Sequence, residues 1–334
     1  MKLVRVHAPG EYRIDDVTMP NPGPRDVVVK MGACGICGSD IHFVQWGMRQ
    51  ADGEPMPLGH ESAGIVETVG AEVTGIEPGA RVFVNPMAAD GSVIGNGGPE
   101  GAFSPRVLVR NAVAGQSLLP IPDGISLATA ALVEPLAVAM HGVNRGQPTA
   151  ESQVAVFGCG PIGLGAILWL KRRGVRHVAA VDISAARLGY AQKMGADAVI
   201  NPLEQNVAEA LRAVHGEGGG EGLVGTDVFL DMAGAKTVIP DILKMAKQHS
   251  RLVVTAVYLE PIPVDFMSLI LREVEITTAG GYPRELHDVL AQLPDVDPEM
   301  LKAYVSHTLP FEQFDEAFRI AQQPDSAKVM VTFS

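Results

Sequence analysis

The chain is short of cysteine, short of positive charge and without a long apolar run, and each shortage closes off a class of function. Three cysteines, at 34, 37 and 159, are too few and too unevenly placed for a disulfide framework, so a reducing cytoplasm is the expected compartment. Lysine and arginine number 26 against 38 aspartates and glutamates, a net charge of −12. Such a surface repels phosphate backbones and anionic lipid, which argues against nucleic acid and membranes as partners. No apolar run is expected to span a bilayer, and Met1-Lys-Leu-Val-Arg-Val6 reads as a first strand rather than a leader. Internal repeats and low-complexity segments are missing as well. What is present is 334 residues, 47% of them hydrophobic, enough for two domains with an ample core.

The most informative stretch is Val154-Ala-Val-Phe157, an apolar strand, followed by Gly158-Cys-Gly-Pro-Ile-Gly163 and an apolar helix from Ile162. Strand, tight glycine turn and helix in that order form a dinucleotide site: a backbone without Cβ lets a pyrophosphate approach the helix N-terminus. Pro161 suits the first helical turn, where a missing N–H costs nothing. The next expected strand, His177 to Val181, ends at Asp182, 24 residues past Gly158, the spacing of a carboxylate that binds the adenosine ribose hydroxyls. Asp182 favours NAD because its charge repels a 2′-phosphate, whereas Arg187, five residues on, would invite NADP.

From about 148 onward strands alternate with helices: strands near 154–157, 177–182, 198–200, 227–231, 251–257 and 274–279 predict a doubly wound six-stranded parallel sheet. The Gly216–Gly222 run carries two glutamates and reads as a loop, not a phosphate cradle. Residues 1 to about 110 read as short alternating strands punctuated by Pro-Gly turns. After Gly281 a helix near 312–322 and a strand at 328–333 make a tail too small for its own core, which is expected to pack back onto the first half.

A second informative stretch is Cys34-Gly-Ile-Cys-Gly-Ser-Asp-Ile-His42, followed by Gly59-His-Glu61 and Glu134-Pro-Leu136. Cys34 and Cys37 lack a second C-x-x-C, which disfavours a redox pair or zinc knuckle. A lone cysteine is usually a small buried hydrophobe, but the nearby His and the His-Glu pair point Cys37 toward a metal. These motifs, with Pro55-Met-Pro-Leu-Gly-His-Glu61 and the glycine loop, resemble the zinc-dependent medium-chain dehydrogenases, closest to the sorbitol (polyol) branch. The resemblance runs over nearly the whole chain.

It implies an α/β fold in which a GroES-like β-rich catalytic domain, residues 1–147 with 283–334, is interrupted by a Rossmann domain at 148–282. Carried over residue by residue, it implies Cys37, His60 and Glu134 as ligands of a catalytic zinc, directly or through water. Glu61 is the competing carboxylate, binding in some states and otherwise backing the site, and Asp40 orients His60. Ser39 and His42 correspond to a relay that carries the substrate proton away. The glycine loop, Gly158, Gly160, Pro161, Ile162 and Gly163, with Asp182 and Arg187, corresponds to the NAD site. Relatives that carry a structural zinc have four cysteines in a lobe falling near 86–105; this chain has none there, so one zinc per subunit is expected. Phe43, Trp46 and Met48 are candidates for lining an apolar substrate pocket. The implied reaction is reversible oxidation of a secondary alcohol (a polyol, diol or sugar acid) to a ketone, in a homodimer or homotetramer. A threonine dehydrogenase and a non-catalytic NAD-binding or redox-sensing protein are the alternatives.

Overall fold

Six parallel strands form one sheet in the spatial order Ala198–Ile200, His177–Val181, Gln153–Phe157, Val228–Asp231, Arg251–Val254 and Glu275–Thr278. Numbered along the chain this is 3-2-1-4-5-6, the order that puts a crevice outside the strand ends, beside the first strand. The strands are nearly continuous apolar runs because helices cover both faces. The computed structural model describes residues 1–87 and 93–334, so part of the 86–105 stretch lies outside the described residues.

The second body is built on a mixed sheet in the order Val305–Pro310, Lys328–Thr332, Val27–Ile36, Glu61–Val69, Arg81–Val84 and Leu118–Pro120. Lys328–Thr332 runs antiparallel to Val27–Ile36, with Val329 opposite Ile36 and Val331 opposite Cys34. A strand from the tail therefore lies inside the sheet of the first half. Between the two sheets runs the helix Val133–Gly146, whose buried face shares one core with Phe83 and Leu119 on one side and Val156 and Leu168 on the other. Trp169, buried on the helix Pro161–Arg172, donates from Nε1 to the Leu136 carbonyl at 2.8 Å and locks the two helices together.

Two sequence expectations need correction. Leu127–Gly146, 20 residues with a mean hydropathy of 1.2, does meet the length and apolarity of a membrane span. It is a core element instead, with 67% of its most apolar window buried. Residues Gly38–Trp46 form a helix in what read as a purely β-rich half. Its apolar residues make no stripe, so periodicity is silent; the helix is started by a cap and stopped by Gly47 at φ 64°.

Candidate active site: a buried ligand cluster beside a nucleotide cleft

Cys37 is the N-cap of the helix Gly38–Trp46, and Asp40 in its first turn is fully buried. The Asp40 carboxylate accepts from the Cys37 backbone N–H at 2.9 Å and from the Gly59 N–H at 3.2 Å. One side chain thus ties the cysteine segment to the segment that carries His60. The same carboxylate lies 3.6 Å from His60 Nδ1, just beyond hydrogen-bond length, and that buried nitrogen has no other partner among the described residues. A small closure would give the carboxylate–imidazole contact that fixes a ligand tautomer.

Cys37, His60 and Glu61 place one ligand atom each within 4.8 Å of one another. A thiol, an imidazole and a carboxylate converging in a largely buried site suit zinc and leave a coordination position open. The electrostatics agree. Burial disfavours a charge on His60, yet Asp40 and Cys37 outweigh it and raise its pKa well above the ordinary histidine value, so the site draws positive charge to the ring.

Glu61 is fixed from behind. Both its oxygens accept from Lys328 Nζ at 2.6 Å, and the ammonium also donates to the Ile36 carbonyl at 2.9 Å. Lysine and glutamate are both almost completely buried. Burial alone would neutralise Lys328, but Glu61, then Cys37, raise its pKa above the ordinary lysine value. Gly35, opposite Glu61 in the strand pairing, is required here: a Cβ on it would stand 2.0 Å from Glu61 Oε2.

Glu134 falls outside the three-residue group. It sits in the first turn of the helix Val133–Gly146, buried, and lines a cavity of about 610 Å³ together with Tyr282. Burial pushes its pKa up to about 7, with His60 pulling down, Glu61 pushing up, and Lys328 and the Tyr282 hydroxyl pulling down. Of the two carboxylates, then, Glu61 stands with Cys37 and His60 in this arrangement, and Glu134 lies toward the cavity. Cys34 is buried in its strand, where burial raises the thiol pKa well above the ordinary value, as for an inert core residue.

Ser39 and His42 lie one turn apart on the helix Gly38–Trp46, a spacing that puts them on one face. Ser39 is half-buried and His42 is exposed, its ring stacked on Trp46 with centroids 5.2 Å apart. Phe43, Trp46 and Met48, expected near substrate, line neither this cavity nor the nucleotide cleft. Trp46 is instead half-exposed against His42, because a helical residue four on from His42 meets the ring rather than the interior. The cavity draws on Asn96, Gln116, Arg284 and His287, which no local motif marks.

The nucleotide cleft, about 900 Å³, opens at the ends of the parallel strands. Its three glycines are needed for three different reasons. Gly158 turns at φ +91°, and Gly163 packs so tightly that a Cβ would stand 1.8 Å from the Gly158 carbonyl. Gly160 lines the cleft, with no atom within 4 Å of where a Cβ would be, so its backbone is open to a ligand. Turn, close approach and helix–strand packing are the requirements of a pyrophosphate cradle. Pro161 opens the helix, with Ile162 behind it. Asp182 accepts from the Cys159 N–H at 2.7 Å and the Ser184 N–H at 2.8 Å and faces the cleft. Arg187 also lines the cleft, but its Nε donates to the Ser326 carbonyl at 3.1 Å.

Residues 23–123 match the family model of the alcohol dehydrogenase GroES-like domain, and residues 161–294 match that of the zinc-binding dehydrogenases. Human sorbitol dehydrogenase is 31% identical over 343 residues, covering 98% of this chain and 94% of that protein. The chain belongs to the zinc-binding alcohol dehydrogenases. Among solved members of this dehydrogenase fold, 2R,3R-butanediol dehydrogenase from Bacillus subtilis superposes with a TM-score of 0.87 at 27% identity, over 99% of each chain. A short chain alcohol dehydrogenase from E. coli CFT073, complexed with NADH, gives 0.87 at 25% identity, over 100% of this chain and 99% of that one. The protein is thus an oxidoreductase that uses zinc and a nicotinamide cofactor.

Proposed function

We propose that this dehydrogenase oxidises a secondary alcohol of the polyol, diol or sugar-acid type to a ketone, with NAD as acceptor and a single zinc held by Cys37, His60 and Glu61. The convergence of those three ligand atoms in one largely buried site, within electrostatic reach of the cavity-lining Glu134, is the observation that carries this reading. The similarity to sorbitol and butanediol dehydrogenases supports the substrate type. The division into a catalytic body, 1–147 with 283–334, and a nucleotide body, 148–282, follows the two sheets.

When bound, the metal ion acts as a Lewis acid that makes the alcohol hydroxyl more acidic, and the nicotinamide takes up the hydride. The protein does the rest. Asp40 holds Cys37 and His60 in register, and Lys328 holds Glu61 at the edge of the cluster, so the donors are placed before any ligand arrives. Glu134, at the cavity side, is the further residue that would hold the ion, directly or through a water. Ser39 takes the hydroxyl proton, and His42, at the exposed end of the same helix face, releases it to solvent. A relay of this kind removes the proton without opening the hydride path to water. Ser39→Ala is expected to lower turnover about a hundredfold or more with zinc content unchanged; undiminished turnover would take Ser39 out of the relay.

NAD is preferred over NADP because the Asp182 carboxylate lines the cleft, while Arg187 is engaged on Ser326. The absence of cysteine from 86–105 supports one zinc per chain. Elemental analysis of the purified protein, run beside reduction of NAD and of NADP over a panel of polyols, diols and simple secondary alcohols, tests all of this together. One zinc and NAD reduction on a vicinal diol or polyol is the expected result. Two zincs per chain would refute the single-ion reading, an NADP preference would refute the role of Asp182, and no reduction on any alcohol would refute the function.

The enzyme pairs with a second copy through the free edge of Glu275–Thr278, the last strand of the parallel sheet. Phe266, Met267, Ile270 and Leu271 beside it are each 67–76% exposed, a patch and an unpaired edge that a partner would cover. Light scattering is expected to give twice the mass of one chain, or a multiple of it, and Leu271→Glu to shift the mass toward one chain. A wild-type monomer at micromolar concentration would end this proposal. All three cysteines are unpaired, which supports a reducing, cytoplasmic setting.

A further inference from the structure

The cavity beside the ligand cluster has one feature that a neutral alcohol does not require. At its inner end stands Glu134, next to the cluster, and at its rim stands Arg284, on the segment that enters the helix Glu285–Gln292. Among the described residues no carboxylate pairs with the Arg284 guanidinium and no oxygen accepts from it. That is unusual in this chain. Arg5, Arg106, Arg110, Arg251 and Arg319 are paired with carboxylates, and most of the others donate to protein oxygens. Of the other arginines without such a contact, Arg25 and Arg212, neither lines the cavity.

His287, also at the rim, is committed through Nε2, which donates to the Gly115 carbonyl at 2.8 Å. Glu134 is the one acid among the described lining residues, and it is buried. Among the described lining residues, Arg284 is thus the only one that carries a permanent positive charge. The side-chain amides of Asn96 and Gln116 also line the cavity, likewise without partners among the described residues, and suit the hydroxyls of a polyhydroxy chain. A volume of about 610 Å³ is well beyond the needs of a two- or three-carbon alcohol.

We infer that the substrate is an anionic polyhydroxy alcohol: its reacting hydroxyl lies at the cluster and a terminal carboxylate or phosphate is held by Arg284. This rests on the dehydrogenase reading above and adds the charge of the substrate to it. The net charge of −12 repels an anion at long range, but that repulsion is screened beyond roughly 8 Å at physiological ionic strength. Contact with a planar, weakly hydrated guanidinium prevails at short range, because it binds carboxylate and phosphate oxygens through two parallel hydrogen bonds.

The test compares three substrates of equal length, a hexitol, the corresponding aldonate and the hexitol phosphate, as NAD reductants for wild type, Arg284→Met and Arg284→Lys. The expected result is a kcat/KM for one of the two anions about tenfold or more above that of the hexitol, the loss expected from one charge-assisted contact. In Arg284→Met that ratio falls to near one, chiefly through KM, and Arg284→Lys restores part of it. Which anion leads distinguishes carboxylate from phosphate. A preference for the neutral hexitol, or an anion preference that survives in Arg284→Met, overturns the inference while leaving the dehydrogenase reading intact. If no substrate reduces NAD, that reading fails, and calorimetric binding of the aldonate and of inorganic phosphate to wild type and Arg284→Met still decides the anion site. Binding that the variant leaves unaltered, or no binding at all, then overturns it.

Discussion

Lys328→Met is expected to destabilise the metal-free protein by about 3–5 kcal/mol, the usual cost of removing one partner from a buried ion pair. In a chain of this size that is a fall of about 8 °C in the melting temperature of the catalytic body. The reason is local. Glu61 is fully buried, its carboxylate has both oxygens on Lys328, and without the ammonium it must either remain an unpaired buried anion or take up a proton. Glu61→Gln in the same background should recover a large part of the stability, because the double variant carries no uncompensated charge. Thermal unfolding of the four proteins of this cycle, stripped of metal, provides the check. A single variant that melts within a degree of wild type would mean the pair contributes nothing.

Cys37→Ala should have the largest effect on activity, at least about 10⁴-fold in kcat, with zinc lost from the purified protein. A bound zinc ion would make the alcohol hydroxyl far more acidic, and the variant loses that advantage. The fold should survive, because Cys37 contributes to the helix cap through its backbone N–H, which the substitution keeps. Circular dichroism, elemental analysis and turnover on one preparation separate the outcomes. A folded variant with a full complement of zinc would show that the ion is held elsewhere.

How much was legible beforehand differs from residue to residue. The parallel sheet could be read because its strands are short apolar runs separated by helices, and the glycine loop because each of its glycines answers a distinct steric demand. Cys37, His60 and Glu61 could be read because they stand in dense motifs. Which carboxylate stands closest to the other two could not, since it depends on how the helix Val133–Gly146 meets the strand Glu61–Val69. Lys328 left one faint trace, a charge at the head of the apolar strand Lys-Val-Met-Val-Thr; such a lysine normally reads as an exposed strand end. Arg284, Asn96 and Gln116 left none, because a cavity assembled from distant segments has no spacing in sequence.

The position of Lys328 also bears on the order in which the molecule can be made. The parallel sheet is a continuous stretch of chain with neighbouring pairings, and a nascent polypeptide can complete it as it emerges. The other sheet cannot close on those terms: Lys328 is synthesised 267 residues after Glu61, and until its strand threads between Val305–Pro310 and Val27–Ile36 the glutamate has no counter-charge. The candidate ligand cluster is thus among the last parts of the protein to be born, finished only after the parallel sheet has already taken shape.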